Sequence, residues 1–232
     1  MDTDLHGSTR IETDEHGSGR VTERWATFDC YGTLIDWNAG IHAVLADVFG
    51  ADRAGGLLIQ YHDVEPRLQR DGRRTYRQVL TDALVELGAP ESRRFALADS
   101  LPSWPPFDEV PAALRALRAR GWRLAILSNT DRDFIEASKR QLGVPFDATI
   151  VASEIGSYKP ALGHWQAFEG EVGRLPDVHV AASHFHDVVP ASRLGVPTVW
   201  VNRLAEQGDP PPTREIGDLT PLPDVLDELA PA

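Results

Sequence analysis

The chain has 232 residues and a formal net charge of −12, from 23 basic and 35 acidic side chains. That length, with 42% hydrophobic and 25% charged residues, fits one domain, or one core domain carrying an insertion, and excludes a fibrous or wholly disordered chain. The acidic balance disfavours nucleic acid and anionic membranes, the lone cysteine, Cys30, excludes an intrachain disulfide, and no apolar run nears the roughly 18 residues of a membrane span. The opening MDTDLHGSTRIETDEHGSGR holds no apolar leader segment, so a cytoplasmic protein is expected, with a homodimer compatible with that reading.

Residues 1 to 21 are polar and aperiodic, and a mobile tail is expected there. The run Trp25-Ala-Thr-Phe28 ends at Asp29 and a Gly32-Thr33 turn, the pattern of a buried strand that delivers a carboxylate to its C-terminal end. From 38 to 107 apolar residues recur at helical spacing, around Ile41–Phe49, Leu57–Leu68, Tyr76–Leu87 and Phe95–Leu101, until the proline cluster at 102–106. A helical cap inserted after the first strand is expected. A helix about Glu109–Arg120 then leads into a strand at Arg123–Leu127, with Gly121 as its stop. Further strand-like runs stand at Ala148–Val151, Val178–Ala182 and Thr198–Val201, the last two flanking Val188–Leu194. Alternation of this kind predicts an α/β fold, a doubly wound Rossmann-like parallel sheet over 22–37 and 108–232.

In such sheets the chemistry gathers beyond the carboxyl ends of the strands. Asp29, Ser128-Asn129, Lys159-Pro160 and Asp187 follow separate segments and should converge there. A carboxylate nucleophile, a hydroxyl and amide pair, an ammonium and a second carboxylate would then share one edge.

Those residues carry a resemblance. Phe28-Asp-Cys-Tyr-Gly-Thr-Leu-Ile-Asp36 resembles the first motif of the haloacid dehalogenase superfamily, Leu127-Ser-Asn129 its second, Tyr158-Lys-Pro160 its third and Asp187 its fourth. The resemblance implies a Rossmann-like core, a helical cap and Asp29 as a nucleophile that forms an aspartyl ester. It also implies a role for Thr33 beside Asp29. Phosphatase members place a second Asp two residues after the nucleophile, as acid for the leaving alkoxide; here that position is Tyr31. A halide leaves as a stable anion, so the sequence is most similar to the type II 2-haloacid dehalogenase branch, which implies a small carboxylate substrate and no metal.

The chain departs from that branch where it recognises substrate. A gapless count from Asp29 reaches Gln60 or its neighbours Tyr61 and His62 where a cap arginine is expected, Trp165 stands six residues beyond Lys159 in place of tyrosine, and the fourth motif carries Ala182 and His184 for Ser and Asn. The expectation is a site shaped by Trp37, Trp165 and His184, with substrate contacts from Gln60, Ser128, Asn129 and the backbone at Cys30-Tyr31, and with weaker use of simple 2-haloacids.

Local roles compete with these. Asp36 reads as a helix cap, Ser128-Asn129 could cap the following helix, and Arg70, Arg73, Arg74 and Arg77 read as a solvated helix face. His184 and His186 with Asp187 could in principle hold a metal, but no further dispersed motif supports one. Cys30 follows Asp29 on the strand, so the two side chains should face opposite ways. Rival functions are a phosphatase with Mg²⁺ on Asp29 and Asp187, an azetidine-2-carboxylate-type ring-opening hydrolase, and a ligand binder without turnover.

Overall fold

The structure is a computed structural model that describes residues 23–70 and 72–232. The tail expected at 1–21 lies outside the described residues. No helix among the described residues is long and apolar enough to cross a membrane.

A parallel sheet forms the centre. Its strands are β1 (Arg24–Phe28), β2 (Trp122–Ser128), β3 (Ala148–Val151), β4 (Val178–Ala181), β5 (Thr198–Val201) and β6 (Arg214–Ile216), in the order β3-β2-β1-β4-β5-β6. β1 lies between β2 and β4, with Phe28 opposite both Ile126 and Val180. This order reverses direction at β1 and β4, and a doubly wound sheet opens a crevice at that switch point. The expected fold class is therefore the one observed.

Strand periodicity explains the two-sided core. Ala26 and Phe28, with Leu124 and Ile126, join the larger apolar cluster on one face, while Trp25, Ala125 and Leu127 join Trp165 and Phe168 on the other. Both faces are covered, so β1 and β2 read as continuous apolar runs. Burying a side chain such as Phe28 stabilises the fold by roughly 1.5–3 kcal/mol.

Between β1 and β2 the described chain is helical. It runs through α1 (Trp37–Phe49), α2 (Ala51–Gln69), α3 (Tyr76–Glu86) and α4 (Ala96–Ser100). Asp36 caps α1, its Oδ1 accepting the Ala39 N–H at 3.0 Å. Thr75 and Gln78 close a capping box on α3. At Gly40 the helix lies against the Trp104 ring so closely that a Cβ would come within 2.4 Å of it. The insertion is thereby packed onto the segment that returns to the sheet.

The remaining helices, α5 (Val110–Ala119), α6 (Arg132–Leu142), α7 (Ala152–Ile155), α8 (Gly163–Val172), α9 (Val189–Arg193) and α10 (Leu222–Leu229), alternate with the later strands. A π-helical turn at His184–Val188 follows β4 and leads into α9. β6 and α10 have no counterpart in the sequence reading. β6 is a short edge strand with Arg214 and Glu215 exposed, so it shows no apolar run.

Candidate active site

Asp29 directly follows β1, and its backbone N–H is held by Val180 O at 3.1 Å across the switch point. Its carboxylate is gripped on both oxygens. Lys159 Nζ donates to Oδ1 at 2.8 Å and the Thr33 hydroxyl donates to Oδ2 at 2.9 Å. Thr33 Oγ1 in turn accepts the Ala182 N–H at 2.9 Å, which ties the turn after β1 to the end of β4. Gly32 makes that turn possible, with φ +89°.

Lys159 is the hub. Its ammonium also donates to Asp187 Oδ1 at 2.6 Å and to Leu127 O at 2.8 Å, so all of its protons are used. Burial works against its charge, but Asp187 and Asp29 together override that and hold its pKa above the ordinary lysine value. For Asp187, burial is opposed by the Lys159 charge and by His179, and the carboxyl falls to about 2. For Asp29, burial prevails over Lys159, Asp187 adds repulsion, and the pKa is raised. Asp187 is thus the firmly ionised member, and its Oδ2 has no hydrogen-bond partner among the described residues.

Two buried histidines support this centre. His179 Nε2 lies 3.0 Å from Asp187 Oδ1 and its Nδ1 lies 2.8 Å from the Thr27 hydroxyl. Asp187 can only accept, so Nε2 carries a proton towards it. His164 Nε2 lies 3.0 Å from Ser128 O, and burial, then the Lys159 charge, lowers its pKa to about 3. It is a neutral donor that fixes the end of β2.

These groups form one end of a cavity of about 130 Å³, lined also by Tyr31, Trp37, Glu65, Gln69, Tyr76, Ser128, Asn129, Ser183 and His186. Drug-sized ligands need roughly 300–1,000 Å³, so this space suits a molecule of only a few heavy atoms. Asn129 is committed locally. Its Oδ1 accepts the Lys159 N–H at 2.6 Å, and its Nδ2 donates to Lys159 O at 3.0 Å and to Gln69 Oε1 at 3.3 Å. The Tyr31 hydroxyl lies 3.1 Å from Ser138 Oγ, a residue that does not line the cavity.

The structure therefore brings together Asp29, Tyr31, Thr33, Ser128, Asn129, Lys159 and Asp187. Cys30 is fully buried, with its carbonyl accepting from Thr33, Leu34 and Ile35, and its side chain is not part of the cavity lining. Three expected substrate contacts lie elsewhere. Gln60 is exposed on α2, one residue from the buried stripe Tyr61, Glu65 and Gln69. A step of one residue turns a helix by roughly 100°, so of the three positions the count allowed, Tyr61 faces inward and Gln60 does not. Trp165 is buried behind the sheet, its ring 5.3 Å from that of His179. His184 packs on Trp200 and its Nε2 lies 2.8 Å from Pro210 O, while His186, two residues on, lines the cavity instead. Both histidines stand on the π-helical turn, where residues two apart point in different directions.

Glu65, Gln69 and Tyr76 were missed by the sequence reading. The only available signal was a pair of acid and amide at i and i+4 on an otherwise apolar helix face.

The haloacid dehalogenase-like hydrolase family matches this chain over residues 24–180. A (S)-2-haloacid dehalogenase from Pseudomonas sp. (strain YL) is 31% identical, over 76% of this chain and 81% of its own. A haloacetate dehalogenase H-2 from Moraxella sp. (strain B) is also 31% identical, over 76% of this chain and 84% of its own. Among solved structures, the L-2-haloacid dehalogenase from Xanthobacter autotrophicus superposes with a TM-score of 0.79 at 21% identity, covering 90% of this chain and 100% of that one. The same enzyme with chloropropionic acid covalently bound superposes with a TM-score of 0.78 at 20% identity, again over 90% of this chain and 100% of its own. With that match and with Asp29, Lys159 and Asp187 converging at the switch point, the chain belongs to the haloacid dehalogenase-like hydrolases.

Proposed function

We propose that this hydrolase displaces halide from C2 of a small carboxylic acid, of the (S)-2-haloacid class on which its relatives are named. The observation that carries the reading is Lys159 Nζ bridging Asp29 and Asp187, 2.8 and 2.6 Å away, at a cavity sized for a small acid. Asp29 attacks C2, the C2–halogen bond breaks with its electron pair on the halide, and an aspartyl ester forms. Asp187 Oδ2 then takes a proton from water as that water attacks the ester carbonyl and releases Asp29 with the 2-hydroxy acid. Lys159 offsets the charge of both carboxylates, and Ser128 with the backbone N–H groups near Tyr31 receives the substrate carboxylate.

Residues 38–107 act in this reading as a cap over a core of 22–37 and 108–232, excluding bulk water during the displacement. The donor set argues for metal independence. An ammonium already sits between the two carboxylates, and no third acid joins them to complete a divalent-cation site among the described residues. We read a cytoplasmic enzyme that acts on a free small acid.

The test is halide and phosphate release from 2-chloropropionate and a phosphate monoester, each with and without EDTA, plus mass spectrometry of trapped enzyme. Chloride release with a covalent adduct on Asp29 supports the reading. Phosphate release that EDTA abolishes and Mg²⁺ restores makes the protein a phosphatase. Tight binding without any release makes it a binder.

A further inference from the structure

We propose that His179 is a positioning residue for the hydrolytic half of the reaction, holding Asp187 so that Oδ2 is the atom that takes the proton from water. The proposal rests on the reading of Asp29 as a nucleophile that forms an ester, and deepens it by giving the second step a residue of its own.

β1 and β4 pair with Thr27 opposite His179, so the two side chains enter the same layer of the core. Trp165 covers them there, its ring edge-on to the imidazole at 5.3 Å and 69°. His179 is 1% exposed and engaged at both nitrogens, with Nδ1 2.8 Å from the Thr27 hydroxyl and Nε2 3.0 Å from Asp187 Oδ1. The ring cannot turn without losing both bonds. Trp165, expected at the substrate, thus serves the site from behind the sheet, by packing the imidazole that reaches Asp187.

Lys159 alone does not fix Asp187. Its ammonium lies between two carboxylates, 2.8 Å from Asp29 Oδ1 and 2.6 Å from Asp187 Oδ1, and a half-turn of the Asp187 carboxylate would exchange its two oxygens on that donor. His179 breaks the symmetry. It sets a second donor on Oδ1, while Oδ2 stays buried with no partner among the described residues. Each donor on a carboxylate oxygen lowers its basicity, so Oδ2 is the more basic oxygen of the pair. Asp29, by contrast, is held by Lys159 and Thr33 and takes no bond from His179. Displacement of halide and hydrolysis of the ester therefore depend on different donors.

The step balances with water as the only co-reactant. Water oxygen bonds to Asp29 Cγ as one water proton passes to Asp187 Oδ2. The Cγ–O bond to the substrate then breaks, and the substrate oxygen takes that proton back from Asp187. The 2-hydroxy acid departs, and Asp29, left as a carboxylic acid, loses its proton to solvent.

The experiment is rapid-quench and steady-state kinetics with 2-chloropropionate on wild type, His179→Leu and His179→Gln, with circular dichroism to confirm folding and mass spectrometry to count the ester on Asp29. His179→Leu should lower kcat about tenfold or more, the worth of one hydrogen bond to a charged group. Its kcat/KM should stay within about threefold of wild type, because that ratio is settled once halide has left. KM then falls with kcat, chloride appears as a burst, and the ester accumulates on Asp29. The Gln amide donates from the place of Nε2, so His179→Gln should recover most of the lost kcat. A histidine that only supports the fold gives a different result, in which kcat and kcat/KM fall together without burst or ester. That outcome overturns the proposal, as does a kcat for His179→Leu within about twofold of wild type, or a Gln variant no better than the Leu one. Thr27→Val is nearly isosteric and loosens the same ring from its other nitrogen, so it should give the same signature to a smaller extent even where His179→Leu does not fold. Parallel loss of kcat and kcat/KM in Thr27→Val overturns the proposal while sparing the nucleophile reading. A wild type that releases no chloride overturns both.

Discussion

The Asp131 carboxylate, in the loop after β2, accepts the backbone N–H of Tyr76 at 2.8 Å, and with it the Arg77 N–H at 2.9 Å. A core residue thus caps the first turn of α3, where unpaired amides and the helix dipole favour negative charge. Tyr76 is a wall of the cavity, so this contact sets the wall against the floor. Asp131→Ala should lower stability by about 0.5–2 kcal/mol, read from the urea midpoint. It should also raise KM more than it lowers kcat, because the wall moves and the nucleophile does not. A kcat loss with KM unchanged would place Asp131 in the chemistry instead.

Asp29→Asn should lower turnover by about 10³-fold or more while the fold is retained, because the amide is nearly isosteric but a poor nucleophile. Mass spectrometry should then find no adduct on residue 29, in protein checked for deamidation back to Asp. The nucleophile works as carboxylate, and its pKa is raised mainly by burial. The acid limb of kcat/KM should therefore lie above the pH at which an ordinary aspartate titrates. A limb at or below that pH would mean that Lys159 outweighs burial.

Lys159→Met removes the cation from between two buried carboxylates. Breaking such a pair from one side costs about 3–5 kcal/mol. The loss should be largest at neutral pH and smaller near pH 4, where protonation relieves the repulsion between Asp29 and Asp187. Thermal unfolding at several pH values measures it, and a pH-independent loss would contradict the arrangement.

Glu65 links stability to pH with a definite sign. Its pKa rises from 4.5 to about 8 on folding, so the folded chain keeps a proton that the unfolded chain releases. The contribution is fully present below 4.5 and is lost as pH rises through 8. At about 1.4 kcal/mol per pH unit, the loss across that window is on the order of 3–5 kcal/mol. Glu65→Gln carries no proton and should flatten the decline. Parallel stability curves from pH 5 to 8 for wild type and variant would show that Glu65 is ionised in the fold.

Treatment with EDTA should leave chloride release within about twofold of its starting value, and added Mg²⁺ should not raise it, since a displacement at carbon has no phosphoryl oxygens that need a metal clamp. A strict Mg²⁺ requirement would overturn this and move the reaction to phosphorus.

The parts of the molecule legible in the sequence are those set by local pattern. β1, β2 and β3 announce themselves as short apolar runs; Asp29 and Ser128 stand where two of them end, and Lys159 and Asp187 follow β3 and β4 after short connections. Asp36 reads correctly as a cap because capping is a relation between near neighbours. Contacts between the insertion and the core are different. Glu65 meets Asp29 only through the way α2 is laid over the sheet, and nothing within a few residues of either encodes that. His164 and His179 were hidden for another reason. Each sits within an apolar stretch, where a satisfied core histidine looks the same as one that orders a catalytic group.

Trp37 closes one side of the cavity with its ring stacked 5.1 Å from His62, at 13° between planes, and 5.8 Å from Tyr61. Of the six tryptophans, it is the one in that lining, the other five being packed into the protein interior. The reaction chamber therefore carries its own fluorophore. Indole emission responds to polarity and to collision with heavy halides, so filling, closure and bromide release should each alter the light from this ring. A stopped-flow trace could then time the individual steps of a turnover without a label, with Trp37→Phe as the silent control.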